Sequence, residues 1–160
     1  MLNNAQQVEQ LLQTNGKGAK AQVGYDLTLK SVKIVNGGSV MSDKTNVANY
    51  SDKASQTNKD GREVYEFAPG TYSLTFEQGI KLPSNKTAFI VHRSSVLRCG
   101  GVITSGVYDP SFEVDEMGAM LIVTEPLIIE KGARVAQIII FDNSEAEPYT
   151  GQWQGKSDYK

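Results

Sequence analysis

From Val23 onward the chain alternates. Val23, Tyr25, Leu27 and Leu29 place an apolar side chain at every second position, the period of a strand with one buried face, and Val32, Ile34 and Val35 give a second short strand. Tyr72, Leu74 and Phe76 repeat the pattern behind an Ala68-Pro69-Gly70-Thr71 turn. Residues 88–91, 120–123 and 135–141 are apolar runs of strand length, which predicts strands buried on both faces. Before Val23 the spacing is helical: Ala5, Val8, Leu11 and Leu12 share one face of a helix predicted over residues 4–15, opened by an Asn4–Gln7 capping pair and stopped by Gly16. One short helix followed by many short strands, with Gly and Pro at nearly every boundary, predicts a mainly β sandwich, jelly roll or barrel.

Two stretches break the pattern. Residues 41–61 are rich in Ser, Asp, Asn, Lys and Thr, with Val47 and Tyr50 as the sizeable apolar anchors, and read as a long hairpin excursion ending at Asp60-Gly61. The tail from Glu145 loses periodicity yet keeps Tyr149, Gly151, Trp153 and Gly155, and a tryptophan there implies docking on something. The organisation expected is a lead-in over residues 1–20, a β domain over 21–144 and a mobile tail over 145–160.

Composition narrows the function classes. A length of 160 residues with 39% hydrophobic and 21% charged side chains fits one domain with a real core. Sixteen basic against 18 acidic residues give no reason to expect nucleic-acid wrapping, although a local cluster can still hold a small polyanion. The single cysteine, Cys99, reads as a small buried hydrophobe; it excludes an internal disulfide and fits a reducing compartment. One cysteine and one histidine cannot supply the three Cys/His ligands of a zinc deaminase. No apolar run approaches the ~18 residues of a membrane span, and the polar start does not resemble a signal peptide, so a cytoplasmic protein without membrane partners is expected.

The chemistry concentrates between His92 and Phe112. Arg93, Ser94 and Ser95 offer a guanidinium fork, two hydroxyls and main-chain donors, which suits a phosphate; the same tripeptide also suits a strand-end turn whose Arg pairs with a surface carboxylate. Asp109 emerges from an apolar segment before Pro110, placed either as a general base or as a turn-capping Asp. Phe112 is a core ring or a platform under a sugar. Asp26 is a second carboxylate in an early strand, suited to a metal-water network or to a structural hydrogen bond. Gln137 interrupts an apolar run and needs partners, because an unsatisfied buried amide costs roughly 1–3 kcal/mol; its neighbour Arg134 poses the same question. His92 reads as structural.

In order, these pieces resemble the trimeric dUTPase and dCTP deaminase superfamily. The carriers are Gly24-Tyr25-Asp26-Leu27, Pro69-Gly70-Thr71-Tyr72, Leu82-Pro83, Arg93-Ser94-Ser95 through Arg98, Gly106-Val107-Tyr108-Asp109-Pro110-Ser111-Phe112, Gly132-Ala133-Arg134-Val135-Ala136-Gln137 and Tyr149-Thr150-Gly151-Gln152-Trp153-Gln154-Gly155. The resemblance implies a distorted jelly-roll or β-barrel subunit, homotrimers and active sites at subunit interfaces. It implies that Asp109 activates the attacking water and that Phe112 stacks on deoxyribose. Arg93, Ser94, Ser95, Arg98 and Gln137 would hold the triphosphate, and Asp26 would support Mg²⁺-bound water without the protein itself ligating the metal. The hairpin bearing Gly106 and Tyr108 would read the base through its main chain, and Trp153 would close over the base, with Lys156 standing in for the arginine that the tail lacks.

The superfamily holds two chemistries. Ring deamination uses a glutamate on the strand after the Asp-Pro motif, and here that strand, Gly118-Ala119-Met120-Leu121-Ile122-Val123, has no acid. The resemblance therefore favours a dUTP diphosphatase releasing dUMP and pyrophosphate. The alternatives are dCTP deamination, alone or combined with hydrolysis, and a non-catalytic nucleotide-binding regulatory trimer. The turn Glu113-Val114-Asp115-Glu116-Met117 is longer and more acidic than the family pattern.

Overall fold

A computed structural model describes residues 1–144 and 146–156. In chain order the elements are α1 (Ala5–Glu9), β1 (Leu12–Gln13), β2 (Ala19–Lys20), β3 (Tyr25–Ser39), β4 (Val47–Lys53), β5 (Gln56–Thr57), β6 (Glu63–Phe67) and β7 (Gly70–Phe76). They continue with β8 (Gly79–Lys81), β9 (Lys86–His92), α2 (Ser94–Arg98), β10 (Gly101–Thr104), β11 (Glu113–Val114), β12 (Gly118–Val123), β13 (Leu127–Glu130) and β14 (Arg134–Asp142).

The antiparallel order β14-β9-β10-β12-β7-β3 closes on itself, because β14 pairs with β9 on one side and with β3 on the other. Closure leaves these strands no open edge within the ring. Leu27, Leu29, Leu74, Phe76, Ile90, Leu121, Ile138 and Ile140 fill the interior, and β6 adds Tyr65 and Phe67 from a second, small sheet.

Four expectations are revised. The helix is only Ala5–Glu9. Its capping box forms as read, with Asn4 and Gln7 exchanging side-chain-to-backbone hydrogen bonds of 2.9 Å, but Leu12 and Gln13 pair with Ile80 and Gly79, and that strand pairing ends the helical run. The two early strands are one, β3, whose register shifts between Leu29 and Ser31 and again between Val35 and Gly38. Residues 41–61 are not a single excursion: β4 folds back on the far half of β3, and β5 then pairs with β6 around a turn in which Asn58 Oδ1 accepts from the N–H groups of Asp60 and Arg62. Finally, the apolar runs are buried on one face only. Inward residues of β9, β12 and β14 alternate with Val91, 38% exposed, Ile122, 40% exposed, and half-buried Phe89, Ile139 and Phe141.

Among the described residues no helix is long and apolar enough to cross a membrane.

Candidate active site

An open cleft of about 450 Å³ lies where β2, β3, β9 and β14 meet. At its base Asp26 is nearly buried, and three side chains converge on it. Arg93 Nε lies 3.0 Å from Oδ2, Arg134 Nη1 3.4 Å from the same oxygen, and Gln137 Nε2 donates to Oδ1 at 3.3 Å. Arg93 also donates through Nη1 to the Arg134 carbonyl, so the two arginines are braced against each other. The amide that interrupts the apolar run of β14 is thus satisfied by a carboxylate.

A register irregularity puts Arg134 and Gln137 on one target. In a regular strand residues three apart point to opposite faces. Between Arg134 and Ala136 the pairing of β14 with β3 slips, Val135 and Ala136 are both buried, and the alternation resumes with Gln137 facing Asp26. A bulge re-aims side chains in this way. Gly24 makes room for the arrangement: a Cβ there would stand 2.3 Å from the Ile138 carbonyl oxygen and 2.8 Å from Gln137 Cγ.

The segment before β3 forms the other wall. Gly18 has φ +80° and passes so close to β3 that a Cβ would meet the Asp26 carbonyl oxygen at 2.3 Å. Tyr25 Oη donates to the Lys17 carbonyl, Asn15 Nδ2 to the Glu77 carbonyl, and Lys17 Nζ pairs with Glu77 at 2.6 Å. Burial, reinforced by the Glu9 charge, pushes the Tyr25 phenol up, keeping it a donor. Burial opposes ionisation of Glu77, yet hydrogen bonds from Lys17 and Thr28 outweigh it and hold that carboxyl below its usual range. Thr28 and Gln78, both buried, complete the brace through Gln78 Nε2 to Thr28 Oγ1 at 2.8 Å and Thr28 N–H to Gln78 Oε1 at 3.0 Å.

Asp109 and Phe112 sit elsewhere in the chain, outside the residues lining the cleft. The Phe112 N–H donates to the Asp109 carbonyl at 3.1 Å, closing a turn with Pro110 second and Ser111, at φ +66°, third. That sequence and φ are the type II pattern, and Ser111 is one of two non-glycine residues with positive φ among those described. Phe112 stands edge-on between Tyr108 and Tyr149, each with ring centroids 5.5 Å away. The tail is strapped to the same turn: the Tyr149 N–H donates to the Pro110 carbonyl, Gln154 bridges the Ser111 carbonyl and the Glu113 N–H, and the Gly155 N–H reaches the Glu113 carbonyl. Trp153 is half-buried there, its N–H 3.4 Å from Tyr149 Oη. Glu145 and residues 157–160 of the expected tail lie outside the described residues. The acidic turn after Phe112 is anchored by Lys81 to Glu113 and by Lys30 to Glu116, with Val114 and Met117 buried beneath it.

The structure therefore gathers Asp26, Arg93, Ser94 and Gln137 into one cleft and Asp109, Phe112 and Trp153 into a second cluster. Ser95 and Arg98 are exposed on α2 and do not line the cleft, and Gly106 is exposed in the loop before Tyr108. Tyr108 is committed to the fold: its N–H and carbonyl pair with Ala88, and its hydroxyl both donates to the Gly118 carbonyl and accepts from the Gly118 N–H. These bonds give Tyr108 a structural role in the chain. His92 Nδ1 accepts from the Ile103 N–H at 3.4 Å, a structural role. Cys99 is exposed, against the buried reading, because it caps α2 at the surface. Lys20, Ala21 and Gln22 line the cleft without having been singled out for it, and Arg134, raised together with Gln137, lines it as well. Arg134 in Gly132-Ala133-Arg134 was the readable signal; the contribution of residues 20–22 depends on a β2–β3 hairpin that sequence periodicity did not reveal.

A cleft with Lys20, Arg93 and Arg134 around one carboxylate favours a polyanion. Among the described residues no three His, Cys, Asp or Glu side chains cluster to hold a metal ion. Asp26 fits a role in holding metal-bound water, since Oδ1 accepts one hydrogen bond from Gln137 and a carboxylate oxygen has capacity for another.

The chain is a closed antiparallel β-barrel with a basic cleft where β2, β3, β9 and β14 meet, a combination suited to a compact anion. A family model described as dCTP deaminase-like matches residues 3–143, and the chain belongs to that family. It is 30% identical over 98% of its length, and over 88% of the relative, to a protein of Methanosarcina mazei named a probable deoxyuridine 5'-triphosphate nucleotidohydrolase. In fold it is similar to the 2'-deoxycytidine 5'-triphosphate deaminase of Agrobacterium tumefaciens, with a TM-score of 0.64 and 13% identity over 87% of this chain; it spans 47% of that one. It is also similar to the native EIAV dUTPase, with a TM-score of 0.52 and 16% identity over 95% of this chain and 98% of the other.

Proposed function

We propose that the protein is a dUTP diphosphatase, hydrolysing dUTP to dUMP and pyrophosphate in the cytoplasm. The observation that carries the reading is the cleft in which Arg93, Arg134 and Gln137 are braced on buried Asp26. It supports a preorganised triphosphate site whose donors need little rearrangement. The names of full-length relatives support dUTP as the substrate.

Asp109 takes the proton of the attacking water, and Phe112 packs on the deoxyribose, where a 2'-hydroxyl is disfavoured. Arg93, Ser94, Arg134 and Gln137 hold phosphate oxygens. Mg²⁺, where present, would supply charge neutralisation at the phosphates, and Asp26 is the residue that would accept hydrogen bonds from water around it. Asp109 lies outside the cleft of its own chain, and the partly exposed apolar row Phe89, Val91, Ile122 and Ile139 supports packing against further copies. A homotrimer in which one subunit's Asp109 turn faces a neighbour's cleft completes the site.

The test is pyrophosphate release with Mg²⁺ from dUTP, dCTP, dTTP and UTP in parallel. Selective turnover of dUTP is expected; turnover of none of them overturns the reading. Deamination of dCTP is the second reading, favoured by the family match. The wholly non-acidic β12, Gly118–Val123, weighs against it, and ammonia release from dCTP decides.

A further inference from the structure

We infer that Lys20 is a further phosphate-binding residue of this cleft, resting on the triphosphate reading above, and that Glu9 competes with the ligand for it. Lys20 ends β2 and lines the cleft beside Asp26, Arg93 and Arg134. Its backbone is fixed: Ala19 and Lys20 pair with Asp26 and Tyr25, and the Ala21 N–H donates to the Gly24 carbonyl at 2.9 Å. The segment behind it is pinned by Tyr25 Oη on the Lys17 carbonyl and by Lys17 on Glu77. A strand that carries a cation and is held this closely to a cleft wall is a positioned feature.

The charge count gives Lys20 a task. Asp26 takes contacts from both cleft arginines and offsets one of their two charges, leaving a single net positive charge from that trio. A nucleoside triphosphate brings several negative charges. Lys156, the other candidate for the terminal phosphate, lies with the tail, its N–H bonded to the Trp153 carbonyl, and is not among the residues lining the cleft. Lys20 is half exposed, and its ion-pair partner among the described residues is Glu9 at 3.9 Å. So long a contact at an exposed site is weak, and a phosphate oxygen in the cleft is a stronger partner. Lys20 therefore turns from Glu9 to the end of the phosphate chain when ligand enters.

The experiment is calorimetric titration of inorganic tripolyphosphate and of dUMP into the full chain, with Lys20→Gln, Lys20→Arg, Glu9→Gln, Glu9→Gln/Lys20→Gln and Arg93→Gln alongside. Lys20→Gln is expected to weaken tripolyphosphate about tenfold, the effect of one charge-assisted contact, with dUMP affinity and melting temperature unchanged. Lys20→Arg should retain most of the affinity. Glu9→Gln should tighten tripolyphosphate about twofold, and the double variant should match Lys20→Gln alone. If Lys20→Gln binds tripolyphosphate like the parent while Arg93→Gln loses it, the cleft reading stands and the role of Lys20 is overturned. If the parent chain does not bind tripolyphosphate, both fail together.

Discussion

The cleft at Asp26 and the turn at Asp109 differ in what holds them. In the cleft, charged and amide side chains from β3, β14 and the N-cap of α2 grip one another, so the groups that would meet a ligand are also the groups that set the geometry. At the turn the main chain does the holding: Pro110, the positive φ of Ser111 and the hydrogen bonds from the tail fix the backbone. The Asp109 carboxylate makes no ion pair or hydrogen bond among the described residues. One region is preassembled for binding at the expense of free donors; the other presents an uncommitted carboxylate on a rigid loop. Substitutions among Asp26, Arg93, Arg134 and Gln137 should disturb affinity and stability together, and those in the second region should separate chemistry from both.

Asp109→Asn tests that separation most severely. Turnover of dUTP should fall by about a thousandfold or more, within the span of general-base contributions, with nucleotide affinity and melting temperature nearly unchanged. Unaltered kcat would remove Asp109 from the base role. Arg93→Gln should raise KM by roughly ten- to a hundredfold, the worth of one charged hydrogen bond to phosphate. It should also lower the melting temperature, because nearly buried Asp26 loses its shortest ion pair. An affinity loss without a stability loss would show that the cleft is less interlocked than it looks.

Tyr108→Phe marks the boundary between the regions, since its hydroxyl ties the loop leading into Asp109 to Gly118 at both donor and acceptor. It should cost about 1–3 kcal/mol by chemical denaturation while kcat/KM stays within a few-fold. A selective loss of base preference would show that Tyr108 also acts on the substrate. The smallest effect concerns Glu77 behind the cleft wall. Its carboxyl is held below the ordinary range, so its ionised form stabilises the fold at neutral pH, and that contribution is lost as pH falls through the depressed value. Parent protein should melt above Glu77→Gln at pH 7, and the gap should close as pH drops below the usual carboxylate range; a pH-independent gap would contradict the linkage.

Legibility followed the range of the interactions. Tyr72, Leu74 and Phe76 are buried as their alternation predicts, and the Asn4–Gln7 box forms, because both depend on neighbours a few residues away. The helix was overextended because its second half is claimed by pairing with residues 79–81. β6 and β13 were missed, being short, with Glu66 inside the first and Glu130 ending the second. At the site, residue types pointed to Asp26, Arg93 and Gln137, but the convergence of Arg134 and Gln137 on one oxygen pair needs the bulge at Val135, and periodicity assigns those two residues to opposite faces. Cys99 was misjudged because residue type says little about a helix cap at the surface.

The strand that closes the ring also sets a schedule for synthesis. Arg134 and Gln137 meet Asp26 across 108 and 111 positions of chain, and β14 is the last strand of the fold. Contacts of such separation form late and slowly. A nascent chain on the ribosome can carry Asp26, Arg93 and the whole Asp109 turn and still lack the clasp on Asp26, because Arg134 and Gln137 have yet to emerge. Ligand binding should therefore appear abruptly when β14 is released, making nucleotide a stabiliser of finished molecules and of little use to those still being made.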